Sequence, residues 1–205
     1  MLVPFVVWHL ISGGKQYARE PAGAVVLVGL TGRNASGKST LVGWFSEKGL
    51  RSVSCSDSIR TWLRDQGIET TREALIEGGR ELRRRGGAGV LAEMLLDILD
   101  GEDAVVDSIR TPAEVESLRR RGDFVLIEVR ADEDSRWRRM TARGRAGDPL
   151  EKEVFLSQEE AEARSDDEAG QALDATAAMA DITVLNDGTL EELEGKLEEI
   201  WSSLK

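Results

Sequence analysis

The sequence has very few of the side chains on which many enzymes base their chemistry. Among its 205 residues there is one cysteine, Cys55, and one histidine, His9. A single cysteine excludes an internal disulfide and a cysteine-rich metal site. A single histidine excludes a His-based catalytic triad and a metal centre built from several histidines. Catalysis by this chain would therefore depend on carboxylates, lysine, arginine, backbone amides and a metal ion.

The sequence also lacks a long apolar run and an excess of positive charge. Its apolar segment at residues 2–11 is too short to span a bilayer and has no basic start or clear cleavage site, unlike a secretory signal. The chain has 27 Lys and Arg against 38 Asp and Glu, a net charge of −11, which disfavours a nucleic-acid polymer or a membrane surface as partner. We therefore expect a cytoplasmic protein with an N-terminal extension at 1–22 and one domain at 23–205.

The strongest motif is the phosphate-binding pattern G-x-x-x-x-G-K-[ST] at residues 32–39, between an apolar run and a helical pattern. Its backbone N–H groups are expected to close around phosphate oxygens, while Lys38 reaches the β/γ-phosphates and Ser39 offers a hydroxyl to Mg²⁺. The following helix directs its positive end at the same anion. The segment predicts binding of a nucleoside triphosphate by Gly32, Asn34, Ala35, Ser36, Gly37, Lys38, Ser39 and Thr40.

Short apolar segments alternate with helix-period segments along the chain. The predicted strands are 24–30, 51–55, 103–107, 123–129 and 181–185. The predicted helices are at about 38–48, 57–66, 71–85, 88–99, 112–121, 133–143, 153–164 and 189–203. This order is typical of an α/β fold, here a P-loop NTPase three-layer α/β/α sandwich with a five-stranded parallel sheet. The stretch 151–168, with eight acidic residues against two basic ones, is interpreted as a solvated helix face.

Carboxylates follow two of the predicted strands, at the sheet edge where ligands collect in open α/β proteins. Asp57 either caps the next helix or faces the γ-phosphate, where it would orient an acceptor hydroxyl or hold Mg²⁺ through water. Asp107 closes an apolar run, as a Walker B carboxylate that helps to hold Mg²⁺ does. Arg110 precedes Pro112 in a predicted first helical turn and is either a surface arginine or a bidentate grip on an acceptor phosphate.

The arginine-rich segment 136–145 is a second strong signal, with five arginines in ten residues and a Gly/Asp/Pro composition after it. Arg136, Arg139 and Arg143 share one helix face because they are three and seven positions apart. Such arginines would neutralise charge that develops during phosphoryl transfer, and a mobile segment would exclude water on closure. The alternative is a solvated basic helix.

Residues 29–40 resemble the opening of dephospho-CoA kinases and related nucleotide kinases. Residues 106–116, 143–149 and 180–193 are similar to a narrower branch, which contains archaeal dephospho-CoA-kinase-like proteins, phage deoxynucleoside monophosphate kinases and the kinase-like domain of some deoxycytidylate deaminases. The similarity covers about 24–200. It implies a nucleoside-monophosphate-kinase-like fold with a helical acceptor insert at about 58–100 and an arginine lid at about 136–153.

The resemblance also implies roles for individual residues. Lys38, Asp57, Arg139 and Arg143 would be catalytic, with Arg145 a further lid residue, and Mg²⁺ would be held by Ser39, Asp57 and Asp107. The loop from Asn186 to Gly188 would contact the adenine ring, with Arg139 also binding the nucleotide. The acceptor would meet Asp57, Arg60, Arg64, Arg80, Asp107 and Arg110.

From these residues we expect a phosphotransferase that uses ATP and Mg²⁺ and acts on small-molecule nucleotides, with a nucleoside or deoxynucleoside monophosphate as acceptor. Dephospho-CoA is the alternative acceptor. Dephospho-CoA kinases typically follow the third strand with an Asp-x-Pro-Leu-Leu type sequence, whereas residues 107–110 read Asp-Ser-Ile-Arg, which favours the smaller acceptor. A regulatory ATPase module without an acceptor is a third hypothesis. The sequence leaves the acceptor, the choice between ATP and GTP, and the oligomeric state open.

Overall fold

The computed structural model describes residues 26–145, 147–164 and 169–204, so the extension expected at 1–22 lies outside the described part. The strands are β1 (Leu27–Thr31), β2 (Arg51–Ser54), β3 (Ala104–Asp107), β4 (Phe124–Arg130) and β5 (Ile182–Leu185). The helices are α1 (Lys38–Glu47), α2 (Cys55–Asp65), α3 (Arg72–Gly86), α4 (Val90–Leu99), α5 (Pro112–Arg119), α6 (Glu133–Arg143), α7 (Lys152–Ala163), α8 (Leu173–Ala177) and α9 (Leu190–Ser203). In these ranges no helix has the length and apolar character needed to cross a membrane.

The strands form one sheet in the order β2-β3-β1-β4-β5, and every neighbouring pair is parallel. The predicted five-stranded parallel sheet is therefore confirmed. The chain builds β2 and β3 on one side of β1 and then β4 and β5 on the other, so the strand order reverses at β1. Open α/β sheets bind ligands at such a reversal, beyond the carboxyl ends of the strands. The segment 32–39 begins at this point.

The core has two halves, one on each face of the sheet, as the three-layer prediction requires. Successive side chains of a strand point to opposite faces. Leu27 accordingly packs in a cluster with residues of α2, α3, α4 and α5, whereas Val28 and Leu30 pack with α1 and α9. Gly29 lies on the same face as Leu27, where a Cβ atom would approach Ile109 and Phe124 to 2.6 Å. Close packing on both faces fixes the carboxyl end of β1.

Two helix starts near this edge show how local capping sets the site. Ser54, at the end of β2, is the N-cap of α2, and its hydroxyl accepts a hydrogen bond from the backbone N–H of Ser56 at 3.3 Å. The alternative in which Asp57 caps this helix is therefore wrong, because α2 begins at Cys55 and Asp57 lies in its first turn. At α5, Thr111 forms a capping box with Glu114 and Pro112 occupies the first turn, as predicted.

Candidate functional site

The phosphate-binding loop takes a backbone conformation that glycine permits at two positions. Gly32 has φ +132°, and a Cβ atom there would lie 2.3 Å from the carbonyl oxygen of Val129. Gly37 has φ +107°, and a Cβ atom there would lie 2.1 Å from Nδ2 of Asn186. Any larger residue at either position would both strain the backbone and displace a neighbour. The loop is thus shaped by contacts with β4 and with the segment after β5.

Lys38 opens α1 and turns its ammonium back into the loop. Its Nζ donates to the carbonyl oxygens of Gly32, at 2.7 Å, and Arg33, at 2.9 Å. Burial lowers the pKa of Lys38 from 10.5 to about 8, with the charge of Asp107 acting in the opposite direction and that of Arg110 adding to the decrease. Phosphate oxygens near Nζ would favour the charged ammonium. The loop therefore holds a partly desolvated cation that a polyphosphate would stabilise.

Side chains from distant parts of the chain hold the back of the loop. Nδ2 of Asn186 donates to the carbonyl oxygen of Ser36 at 2.8 Å, across 150 residues of sequence. Arg139, on α6, donates to the same carbonyl at 3.3 Å and to the carbonyl of Asn186 at 2.7 Å. The structure thus brings Arg139 and Asn186, both predicted nucleotide-binding residues, together at the loop. Gly188 follows in the same segment, where a Cβ atom would meet the Glu192 carboxylate that caps α9.

The carboxylates expected to help with metal binding occupy different environments. Asp107 ends β3, is half-buried, and accepts a hydrogen bond from the backbone of Ser108 at 2.7 Å. Asp57 is exposed, and its Oδ1 accepts from Nη1 of Arg60 at 2.9 Å. Ser39, like Thr40 beside it, is exposed at the start of α1. Of these two aspartates, Asp107 is the one whose charge raises the pKa of Lys38, and Glu162 acts in the same direction.

This donor set fits a magnesium ion that is shared with a nucleotide. Magnesium in such sites takes one or two protein carboxylates and completes its shell with phosphate oxygens and water. In the described part of the chain no cluster of three or more Asp, Glu, His or Cys side chains could form a cage made by protein alone. The hydroxyl of Ser39 and the carboxylate of Asp107 are hard oxygen ligands at the loop that would bind the triphosphate.

The segment after α6 folds back onto Arg143, the last residue of that helix, and Arg143 contacts the loop. The guanidinium of Arg143 makes two hydrogen bonds of 2.9 Å with the carboxylate of Asp148 and a third, at 3.2 Å, with the side-chain oxygen of Asn34. The hydrogen bonds from Arg143 also keep the pKa of Asp148 below its ordinary value. Arg145 is exposed, and its backbone N–H donates to the same carboxylate at 3.2 Å. Asp148 therefore folds this segment onto Arg143 beside the loop.

A cavity of about 140 Å³ lies between α3 and α7. Its lining residues are Arg72, Glu73, Ile76, Arg80, Arg83, Gln158, Ala161, Glu162 and Gln171. Arg83 is fully enclosed and pairs with Glu114 at 2.8 Å. The other oxygen of Glu114 accepts from the backbone N–H groups of Arg110, at 2.8 Å, and Thr111, at 3.2 Å. One buried carboxylate thus links the cavity to the segment that follows Asp107.

The structure brings only part of the expected acceptor set to this cavity. Arg80 lines it, and Arg110 reaches it through hydrogen bonds to Glu162 at 3.2 Å and Gln171 at 2.8 Å. Arg60 pairs with Asp57 outside it, and Arg64 is exposed with Asp65 as its ion-pair partner at 3.9 Å. The assignments of Arg60, Arg64 and Asp57 to the acceptor stay predictions, and none of the three lines the cavity.

Two glutamates of α7 correct part of the interpretation of 151–168 as a solvated face. Glu151, Glu153 and Glu160 are exposed as expected, and 165–168 lie outside the described residues. Glu159 and Glu162 are only 4% and 9% exposed. Glu159 pairs with Arg136, which removes that arginine from the face expected to converge on a triphosphate, and burial raises the pKa of Glu159. The sequence did contain a signal, because Glu159 and Glu162 follow the buried Phe155 by four and seven positions and so share its helix face.

Other lining residues had no such signal in the sequence. Arg72 opens α3, and Gln171 lies in an irregular segment before α8, a helix that the sequence did not predict. Gln158 presents a side-chain oxygen that is buried without a hydrogen-bond partner. These residues meet only because the tertiary fold brings α3 and α7 to one cavity, and hydrophobic periodicity within each helix does not report that proximity.

Comparison with known proteins agrees with this architecture. Residues 28–165 match the family model described as AAA domain (AAA_18). A UPF0200 protein of Methanothrix thermoacetophila is 34% identical over 180 residues, which cover 87% of this chain and 97% of the relative. The shikimate kinase of Bacteroides thetaiotaomicron has a similar structure, with a TM-score of 0.53 and 18% identity over 87% of this chain and 98% of that one.

A sugar kinase of Janibacter sp. HTCC2649 gives a TM-score of 0.52 and 17% identity, and the match covers 85% of this chain and 93% of that one. At these identities the two solved structures show a shared fold and no more. The match to the Methanothrix relative extends over nearly its whole length. The chain therefore belongs to the UPF0200 family and, by its residues 28–165, to the AAA domain family.

Proposed function

We propose that this protein is a phosphotransferase that uses ATP and Mg²⁺ to phosphorylate a small phosphorylated acceptor, a nucleoside or deoxynucleoside monophosphate. The observation that carries the proposal is the continuity between the phosphate-binding loop and the arginine-lined cavity. The pKa of Lys38 is shifted by the charges of Asp107, Arg110 and Glu162. Arg110 also donates a hydrogen bond of 3.2 Å to Glu162, which lines the cavity. A donor phosphate at Lys38 and an acceptor in the cavity would therefore lie on the two sides of one short segment, 107–110.

The charge of the cavity supports an anionic acceptor. Arg72, Arg80 and Arg83 line it against two glutamates, and Arg110 reaches it from the neighbouring loop. Arginine is the side chain best suited to bind phosphate because its planar fork offers paired donors. The two solved neighbours are named as kinases of shikimate and of sugar, which supports phosphoryl transfer to a small molecule as the reaction class. The arginines of the lining favour a phosphorylated member of that class.

The size of the cavity favours a small acceptor over dephospho-CoA. Sites that enclose a drug-sized ligand commonly measure roughly 300–1,000 Å³, whereas this cavity measures about 140 Å³. It is large enough for the phosphate end of a monophosphate. The larger dephospho-CoA would have to leave most of its length outside or open the contact between α3 and α7.

In the proposed reaction the protein positions the two phosphates and stabilises charge. The backbone of residues 32–39 and the ammonium of Lys38 would hold the β- and γ-phosphates, with Arg143 beside them. Bound Mg²⁺, held by Ser39 and Asp107, would supply positive charge to the same oxygens. Arg139 and Asn186 keep the loop in shape through the carbonyl of Ser36. Phosphoryl transfer needs little covalent participation by the protein, so this positioning accounts for most of the catalysis.

A coupled assay of ADP formation tests the proposal. Purified protein with ATP and Mg²⁺ is given each nucleoside and deoxynucleoside monophosphate in turn, and then dephospho-CoA, with the phosphorylated product identified by mass spectrometry. We expect one or more monophosphates to raise ADP formation well above the rate without acceptor. The Lys38→Met variant should abolish turnover, whereas Lys48→Met, at the partly exposed end of the same helix, should retain it. ATP hydrolysis that no acceptor changes would instead support the regulatory ATPase.

A further inference from the structure

Glu162 bridges two arginines at the border between the cavity and the phosphate-binding loop. Its Oε1 accepts from Nη2 of Arg72 at 2.6 Å, and its Oε2 accepts from Nη1 of Arg110 at 3.2 Å. The two arginines come from the start of α3 and from the segment between β3 and α5, so only tertiary packing brings them together. Their side chains keep 24% and 31% exposure, whereas that of Glu162 has 11%. The carboxylate is therefore more enclosed than either of the two guanidinium groups that it pairs with, of which Arg72 lines the cavity.

The charges of this group do not balance. Two guanidinium ions share one carboxylate, so these three side chains together carry one net positive charge, and Glu73 is the other acidic residue of the cavity lining. Arg110 is also held from its other side by the side-chain oxygen of Gln171 at 2.8 Å, which fixes the direction of its guanidinium without neutralising it. A phosphate monoester dianion carries two negative charges and three free oxygens, whereas the carboxylate of Glu162 offers the two arginines one negative charge and two oxygens. Two arginines that converge on one point are a geometry typical of phosphate recognition.

We infer that Arg72 and Arg110 form the subsite for the phosphate of the acceptor, and that the carboxylate of Glu162 occupies this subsite until the acceptor displaces it. This inference rests on the proposed function, because it assigns a place to the acceptor phosphate. Glu162 is then an internal competitor of the substrate. It keeps two cations paired and the cavity in shape when no acceptor is bound, at the cost of acceptor affinity.

The opposite role for Glu162 predicts the opposite result. If the carboxylate served only to hold Arg72 and Arg110 in place, its removal would loosen both arginines and weaken phosphate binding. If it competes with phosphate, its removal frees both arginines and strengthens phosphate binding. The substitution Glu162→Gln separates the two roles, since the amide keeps the shape and a hydrogen-bonding oxygen but loses the charge.

Calorimetric titration of the protein with inorganic phosphate tests the inference directly. Each titration is made with the phosphate-binding loop saturated by a non-hydrolysable ATP analogue and Mg²⁺, because that loop also binds phosphate. We expect Glu162→Gln to bind phosphate about tenfold more tightly than the unmodified protein, as the loss of one charged competitor implies. Arg72→Gln and Arg110→Gln should lose this binding. The control Glu160→Gln changes an exposed glutamate of the same helix, paired with Arg164, and should bind phosphate unchanged.

Weaker phosphate binding by Glu162→Gln than by the unmodified protein would overturn the inference, and so would a complete absence of phosphate binding in all variants. Thermal unfolding shows whether each variant is folded, and if Glu162→Gln is not, Glu162→Asp keeps the charge on a shorter arm and should bind phosphate with intermediate affinity. Failure of the ATP analogue to bind would contradict the proposed donor site, whereas the comparison among variants would still report on the subsite. Correct phosphate binding without any phosphoryl transfer would contradict the proposed function alone.

Discussion

The buried ammonium of Lys38 should make the stability of the nucleotide-free protein depend on pH. Burial lowers its pKa from 10.5 to about 8, so the folded protein binds this proton more weakly than the unfolded chain does. Below pH 8 the side chain is charged in both states, and the folded state carries the full cost of desolvating that charge. Above pH 10.5 it is neutral in both states and the cost disappears. Stability should therefore rise with pH between these two values.

The magnitude follows from the size of the pKa shift. A decrease from 10.5 to about 8 corresponds to about 3 kcal/mol, at roughly 1.4 kcal/mol for each pKa unit. The hydrogen bonds from Nζ to the carbonyls of Gly32 and Arg33 offset part of the free energy needed to desolvate the ammonium. They do not remove the pH dependence, because that dependence comes only from the difference in pKa between the folded and unfolded states.

Urea unfolding of the protein and of Lys38→Met between pH 7 and pH 10 measures this effect. The free energy of unfolding of the unmodified protein should gain about 2–3 kcal/mol relative to the variant across the range, since other titrating groups contribute equally to both. Lys48→Met is the control for the loss of one positive charge. Parallel pH profiles for the protein and Lys38→Met would refute the reasoning. Because a bound triphosphate favours the charged ammonium, the affinity for ATP should also fall as the pH rises above 8.

Three further substitutions test the loop, helix α1 and the buried ion pair at the cavity wall. Gly37→Ala should weaken binding of an ATP analogue at least about tenfold in calorimetry, because the added Cβ meets Asn186 at 2.1 Å and φ is +107°. Gly43→Ala, within α1, has open space around its Cβ and should instead raise the free energy of unfolding by about 0.5–1 kcal/mol. Glu114→Gln should lower the free energy of unfolding by about 3 kcal/mol or more, because it leaves the guanidinium of Arg83 buried beside a neutral amide; a loss below about 1 kcal/mol would show that this pair is not structurally important.

Much of the fold could be predicted from the sequence because it is encoded in local patterns. The five apolar segments became the five strands, and the alternation with helices fixed a parallel sheet. Errors occurred where a choice depended on one residue. Ser54 rather than Asp57 caps α2, and because both residue types are good caps, residue type alone does not decide between them. The five-residue helix α8 is too short to show a periodic pattern.

The binding site for the phosphate donor could also be predicted from the sequence, because the conformation of residues 32–39 is encoded in a short local motif. The cavity could not be predicted, because its walls come from α3 and α7, which are far apart in the sequence. The acidic composition of α7 indicated a solvated helix, yet Glu159 and Glu162 are buried and bind arginines of other elements. A charged residue on the apolar face of a helix has a partner in the core, and no composition can identify that partner.

The bond from Asn186 to the carbonyl of Ser36 also has a consequence for the order of events during synthesis. The phosphate-binding loop leaves the ribosome early, but the side chain that supports it follows 150 residues later, just after β5. A nascent chain that stops before this point has the motif without Asn186, and its Arg139 lacks the carbonyl to which it donates at 2.7 Å. We expect such a chain to bind nucleotide poorly. The proposed binding of ATP would then require synthesis of the chain through Asn186.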